Sequence, residues 1–87
     1  MHERALIEDV MRKVGAVARE HGAARVTRVS VRLGALSHFT PEHFRDHFAD
    51  AARATLAEGA EIDAVVETDP RSPSATGVVI ESVEVEA

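Results

Sequence analysis

The chain contains no cysteine, no tryptophan and no tyrosine, and only three phenylalanines among its 87 residues. Without cysteine there are no disulfides, no thiolate zinc sites and no cysteine nucleophile. With so few aromatics, the core must be built from Val, Leu, Ile and Ala. No apolar run approaches the ~20 residues that a membrane-spanning helix needs. The N-terminus lacks a signal-peptide pattern, because Glu3 and Arg4 precede only two consecutive large apolar residues. Basic residues are in deficit as well. Ten Lys and Arg stand against fifteen Asp and Glu, a formal charge of −5, which is the wrong sign for a nucleic-acid surface. These exclusions leave one small domain, expected to be soluble and cytoplasmic. At this length folding buries only ~60–65% of the unfolded chain's surface, so a second core has no room.

The hydrophobic period then divides the chain into elements. From residue 4 to 21, Leu6, Ile7, Val10, Met11, Val14, Val17 and Ala18 recur at helical intervals, and Gly22 suits a left-handed helix stop. From Arg25 the period becomes two, with Thr27, Val29, Val31 and Leu33 alternating against Val26, Arg28, Ser30 and Arg32. Gly34 closes that strand. Thr40-Pro41-Glu42 has the composition of a helix start: a capping hydroxyl, a proline whose missing N–H costs nothing, and an early acid. The helix it opens is predicted to run to about Glu58, with Phe44, Phe48, Ala51 or Ala52, Thr55 and Leu56 facing inward. A second strand is predicted over about Glu61 to Thr68, with Ile62, Ala64 and Val66 on one face. A third follows from Val78 to about Glu86. In the third strand Val78 and Ile80 share one parity while Val83 and Val85 share the other, which predicts a bulge near Glu81-Ser82.

The element order is therefore α-β-α-β-β, and the fold class is α+β. Each strand has one apolar face, so two helices on one side of a three-stranded mixed sheet make a two-layer sandwich. The uncovered face would carry Arg28 and Arg32 on the first strand against Glu61, Asp63, Glu67, Glu84 and Glu86 on the others.

The sequence holds no phosphate-binding glycine loop, no nucleophile elbow and no serine beside a recognisable base, so no enzyme is expected. Its five histidines carry the chemical information. His2 follows Met1, whose free amine titrates near ~7.7–8.0. Amine, backbone nitrogen and imidazole can close fused chelate rings around one cation, and a planar nitrogen set favours Ni(II) or Cu(II) over zinc. The alternative is a frayed terminus with a chance histidine. His43 and His47 are four residues apart and adjacent on a helix surface, with His38 in the loop before them. Such a pair can hold a metal. The plainer reading places them at the border of the buried face, with Asp46 and Asp50 as ordinary ion-pair partners. His21, at a helix C-terminus, is most simply a charge–dipole contact.

Taken in succession, several stretches resemble the HypA/HybF family of hydrogenase nickel-insertion proteins. They are Met1-His2-Glu3, His21-Gly22-Ala23, Arg25-Val26-Thr27-Arg28-Val29, Leu33-Gly34-Ala35-Leu36-Ser37, Pro41-Glu42-His43-Phe44, Thr55-Leu56-Ala57-Glu58-Gly59-Ala60 and Glu81-Ser82-Val83-Glu84-Val85-Glu86. The resemblance covers nearly the whole chain. It implies a nickel metallochaperone in which Met1 supplies the amine, His2 the imidazole and amide, and Glu3 an amide or a nearby carboxylate. It also implies delivery to the large subunit of [NiFe] hydrogenase with help from a GTPase, and a homodimer is a further expectation.

Two departures qualify that expectation. Family members carry a zinc domain with paired Cys-x-x-Cys motifs between the last two strands. Here a short loop at 69–77 replaces it, so residues 1–87 are read as a single nickel-binding domain with no zinc. In addition, Ala35 stands where the family commonly has an acid after the strand-end glycine. The competing reading is an adaptor or accessory subunit that docks through the same scaffold without binding metal.

Overall fold

The structure is a computed structural model that describes residues 2–87, with Met1 and the side chain of His2 outside the described residues. Its elements are α1 (His2–Glu20), β1 (Arg25–Leu33), α2 (Pro41–Ala52), β2 (Glu61–Val66) and β3 (Val78–Glu86). The sheet order is β2-β1-β3, with β1 parallel to β2 and antiparallel to β3. The α+β sandwich predicted from the hydrophobic period is thus the observed one. No helix among the described residues is long and apolar enough to cross a membrane.

α1 buries Ile7, Val10, Val14 and Ala18 along one stripe, and Leu6 and Met11 pack at its margin. It ends as expected at Gly22. That residue takes φ +59° while the Ala23 amide donates to the Ala18 carbonyl at 2.9 Å. β1, in the centre, contributes Val26, Val29, Val31 and Leu33 to the core, and α2 adds Phe44, Phe48 and Ala52.

Strand facing differs from simple alternation at two points, and a bulge accounts for each. On β3, Ser30 pairs with Ser82 but Val31 with Ile80, so Glu81 is the extra residue. This is the predicted bulge, and it lets Ile80, Val83 and Val85 all pack against the core. The second bulge lies on β1, where Val26 pairs with Val85 and Arg28 with Glu84. Thr27 is then extra, and Val26 faces inward with Val29, contrary to the period-two assignment. Val66, expected inward, is 40% exposed because β2 is an edge strand that the core covers only in part.

The second helix is shorter than its sequence period predicts. It stops at Ala52 instead of Glu58, since Arg53 leaves helical geometry at ψ 135° and Ala54 enters the left-handed region at φ +63°. Local hydrogen bonding satisfies the end. The Thr55 hydroxyl donates to the Ala52 carbonyl at 2.6 Å and accepts from the Ala57 amide at 3.1 Å. Tertiary demand supplies the driving force: the turn buries Ala57 and brings the Leu56 carbonyl to the Val26 amide at 2.8 Å. A continued helix would forfeit both contacts. Leu56, predicted to face inward, is left 44% exposed.

Beyond β1 the backbone is drawn tightly against the 72–77 turn. The Gly34 amide donates to the Gly77 carbonyl at 2.8 Å, and the Leu36 amide donates to the Ala75 carbonyl at 2.7 Å. A Cβ on Gly34 would lie 2.2 Å from the Ala75 oxygen, so this crossing requires glycine.

The open sheet face carries the ion pairs expected of it. Arg28 donates to Asp63 at 2.5 Å and to Glu61 at 3.3 Å, with Glu84 at 3.9 Å. Arg32 pairs with Glu67 at 3.2 Å and Glu81 at 2.7 Å. The hydrogen bond to Asp63 and the surrounding carboxylates raise the Arg28 guanidinium above its ordinary range.

Candidate metal centre

Of the expected Met1-His2-Glu3 ligands, only Glu3 has a described side chain. The backbone of His2 opens α1. The first four amides of a helix have no intrahelical acceptor, so the His2 and Glu3 nitrogens are not committed to the helix ladder.

Glu3 is half-buried and faces α2. Its Oε2 lies 3.7 Å from Nδ1 of His43. His43 sits in the first turn of α2, where the Thr40 hydroxyl accepts from its amide at 3.1 Å and Pro41 stands at the helix start. One turn on, Nε2 of His47 lies 2.8 Å from Nε2 of His43. Phe39, buried in the preceding loop, places its ring edge-on to both imidazoles, with centroids 5.7 Å from His43 and 6.5 Å from His47. Glu3, His43 and His47 thus form a group in which one potential ligand atom from each lies within 4.8 Å of the others.

The plainer reading of the pair gave it Asp46 and Asp50 as ion-pair partners. Both acids do line a shallow groove with His43 and His47, but Asp50 pairs with Arg53 and the carboxylate nearest to His43 is that of Glu3. His38 does not join them. It is exposed at φ +67° and borders a different crevice with Ala5, Leu6 and Asp9. No sequence signal pointed to the Glu3 side chain as the partner of the pair, since forty positions separate Glu3 from His43 and only the packing of α1 on α2 joins them.

A family model described as hydrogenase/urease nickel incorporation, metallochaperone, hypA matches residues 1–71. The chain belongs to the HypA family. Among curated relatives, the hydrogenase maturation factor HypA of Chlorobium limicola is 44% identical over 63 residues, 72% of this chain and 54% of the relative. That of Archaeoglobus fulgidus is 40% identical over 67 residues, 77% of this chain and 61% of the relative. The chain therefore spans little more than half the length of the curated HypA proteins it matches. The solution structure of the Ni metallochaperone HypA from Helicobacter pylori superposes with a TM-score of 0.79 at 18% identity, covering 100% of this chain and 99% of that one. The two share a fold.

Proposed function

We propose that this chain is a nickel metallochaperone of hydrogenase maturation, holding Ni(II) as cargo at Met1-His2-Glu3. The observation that carries this reading is the match of residues 1–71 to the nickel-incorporation family, a stretch that begins with these three residues. In this reading the Met1 amine, the His2 imidazole and the adjacent backbone nitrogens supply the nitrogen-rich set that Ni(II) favours. The start of α1 at His2 supports it, because amides outside the helix ladder can lose their protons to a metal without breaking a backbone hydrogen bond.

The protein then acts by binding and release and catalyses no bond change. Its recipients would be a hydrogenase large subunit and a maturation GTPase in the cytoplasm, and its working form would be a homodimer. The short link from β2 to β3 stands where the family's zinc domain would be inserted. With no cysteine in the sequence, the chain would work as a single domain without a thiolate zinc site.

The test is Ni(II) titration of protein with a native, untagged N-terminus, run in parallel on His2→Ala. The wild type is expected to bind one equivalent that the variant does not. Equal stoichiometry and affinity in the two proteins would overturn the assignment and leave the adaptor reading.

A further inference from the structure

The His43–His47 pair is built more like a ligand set than a surface coincidence. The two Nε2 atoms converge to 2.8 Å, and the buried Phe39 ring meets both imidazoles at steep angles, with centroids 5.7 and 6.5 Å away. The Glu3 carboxylate lies 3.7 Å from Nδ1 of His43 and within 4.8 Å of a ring nitrogen of His47. A ring proton on Nδ1, the nitrogen nearest that carboxylate, would leave the Nε2 lone pair of His43 facing His47. The two Nε2 atoms then share a single proton, and a cation that displaces it gains both lone pairs at once.

We propose that His43 and His47 hold a late first-row divalent cation through their Nε2 atoms, with Glu3 as the positioning carboxylate, at a site separate from the Met1-His2 nitrogens. The separation of the nitrogens suits a pair of neighbouring ligands on one ion. At metal–nitrogen distances of about 2.0–2.1 Å, a 2.8 Å span subtends close to ~90° at the metal. This is the angle between neighbouring ligands in square-planar or octahedral complexes and falls short of the tetrahedral angle that zinc prefers. Ni(II) and Cu(II) fit it best. Asp46 beside the pair, together with Glu3, makes the groove anionic; Asp50 is paired with Arg53, and Arg4, bordering the crevice beyond His47, is paired with Glu8 at 3.3 Å. Remaining coordination positions face solvent, as a site that must release its ion requires.

The experiment titrates Ni(II), with Zn(II) as a second arm, into untagged wild type, His2→Ala, the double variant His43→Gln/His47→Gln, and His47→Ala alone. Circular dichroism confirms that each is folded, and exposed His47 gives a variant with little structural risk. His2→Ala is expected to retain one equivalent of Ni(II), which both His47 variants lose. In the His2→Ala background, Glu3→Gln should weaken that equivalent by about 10–100-fold, the usual effect of removing a carboxylate that orients a ligating histidine. NMR should show the His43 and His47 ring signals responding to Ni(II) before any other imidazole in His2→Ala. Retention of the full wild-type stoichiometry by His43→Gln/His47→Gln would overturn the site. So would loss of the same single equivalent by both that variant and His2→Ala, which would merge the pair into the N-terminal site. Binding of Zn(II) more tightly than Ni(II) would overturn the assigned geometry. Failure of the N-terminal assignment shows instead as a His2→Ala protein indistinguishable from wild type, a result that leaves the His47 variants informative.

Discussion

Two groups of ionisable side chains occupy the two sides of the sandwich, and they are assembled on different terms. On the open sheet face, cations and carboxylates alternate: Arg28 lies among Asp63, Glu61 and Glu84, and Arg32 lies between Glu67 and Glu81. Each positive group there is already answered by the chain itself. On the helical side, His43 and His47 turn like atoms toward one another, and the acids around them add negative charge without supplying a cation between the two nitrogens. The first cluster pairs its charges within the chain, across the strands. The second is a hydrogen-bonded pair of like atoms, whose shared proton the proposed cation would displace. Frame and site can therefore be damaged independently, and four substitutions probe that separation.

Gly34→Ala strikes the frame hardest. Its methyl group would meet the Ala75 carbonyl carbon and oxygen, both backbone atoms that cannot rotate aside. Overpacking of this kind costs about 1–3 kcal/mol, read as a lower midpoint in urea. Metal bound per folded molecule should not change. If it falls, frame and site are coupled through the 34–39 loop that carries Phe39.

Arg28→Gln removes the cation common to three carboxylates. Melting temperature should fall at low ionic strength, and the deficit should shrink in 1 M salt, where exposed charges are screened within about 3 Å. A salt-independent deficit would mean that the aliphatic stem of Arg28, not its charge, supports the strands.

The frame was legible in the sequence wherever a local pattern and the tertiary fold agree. The α1 stripe, the Gly22 stop, the Thr40 cap and the Glu81 bulge all follow from period and turn chemistry. Beyond Ala52 the two disagree. Ala, Thr and Leu are helix-compatible, but the chain must turn to reach the start of β2 beside β1. Of the candidate site, the i, i+4 histidine pair was visible, whereas its convergence with Glu3 depends on how two helices dock, which no short-range pattern encodes. That forced turn leaves a marker, because Ala54 adopts φ +63° where glycine would be unstrained. Ala54→Gly is expected to raise stability by about 0.5–1 kcal/mol, the left-handed strain of alanine outweighing the entropy of glycine. An unchanged or lowered midpoint would show that the turn is not strained. Metal binding should be unaffected, since Ala54 lies beyond the C-terminal end of α2, far along it from His43.

Asp9→Asn should have the smallest effect and is the most specific in pH. Asp9 bonds to Lys13 at 2.9 Å and also contacts Arg12, one turn of α1 from its partners. The Lys13 hydrogen bond lowers its carboxyl below the ordinary 3.8 against the opposing effect of desolvation, with the charges of Lys13 and Arg12 adding to the lowering. A carboxyl held lower in the folded chain than in the unfolded one stabilises the fold fully above its unfolded value. That contribution disappears as pH falls through the folded value. The wild type should therefore exceed Asp9→Asn by about 0.3–0.5 kcal/mol at neutral pH, as is typical of exposed helix pairs, and the two should converge on acidification below 3.8. A gap that is constant across this range would assign the difference to helix propensity instead of charge. A gap that is absent at neutral pH would show that these surface pairs do no more than decorate the helix.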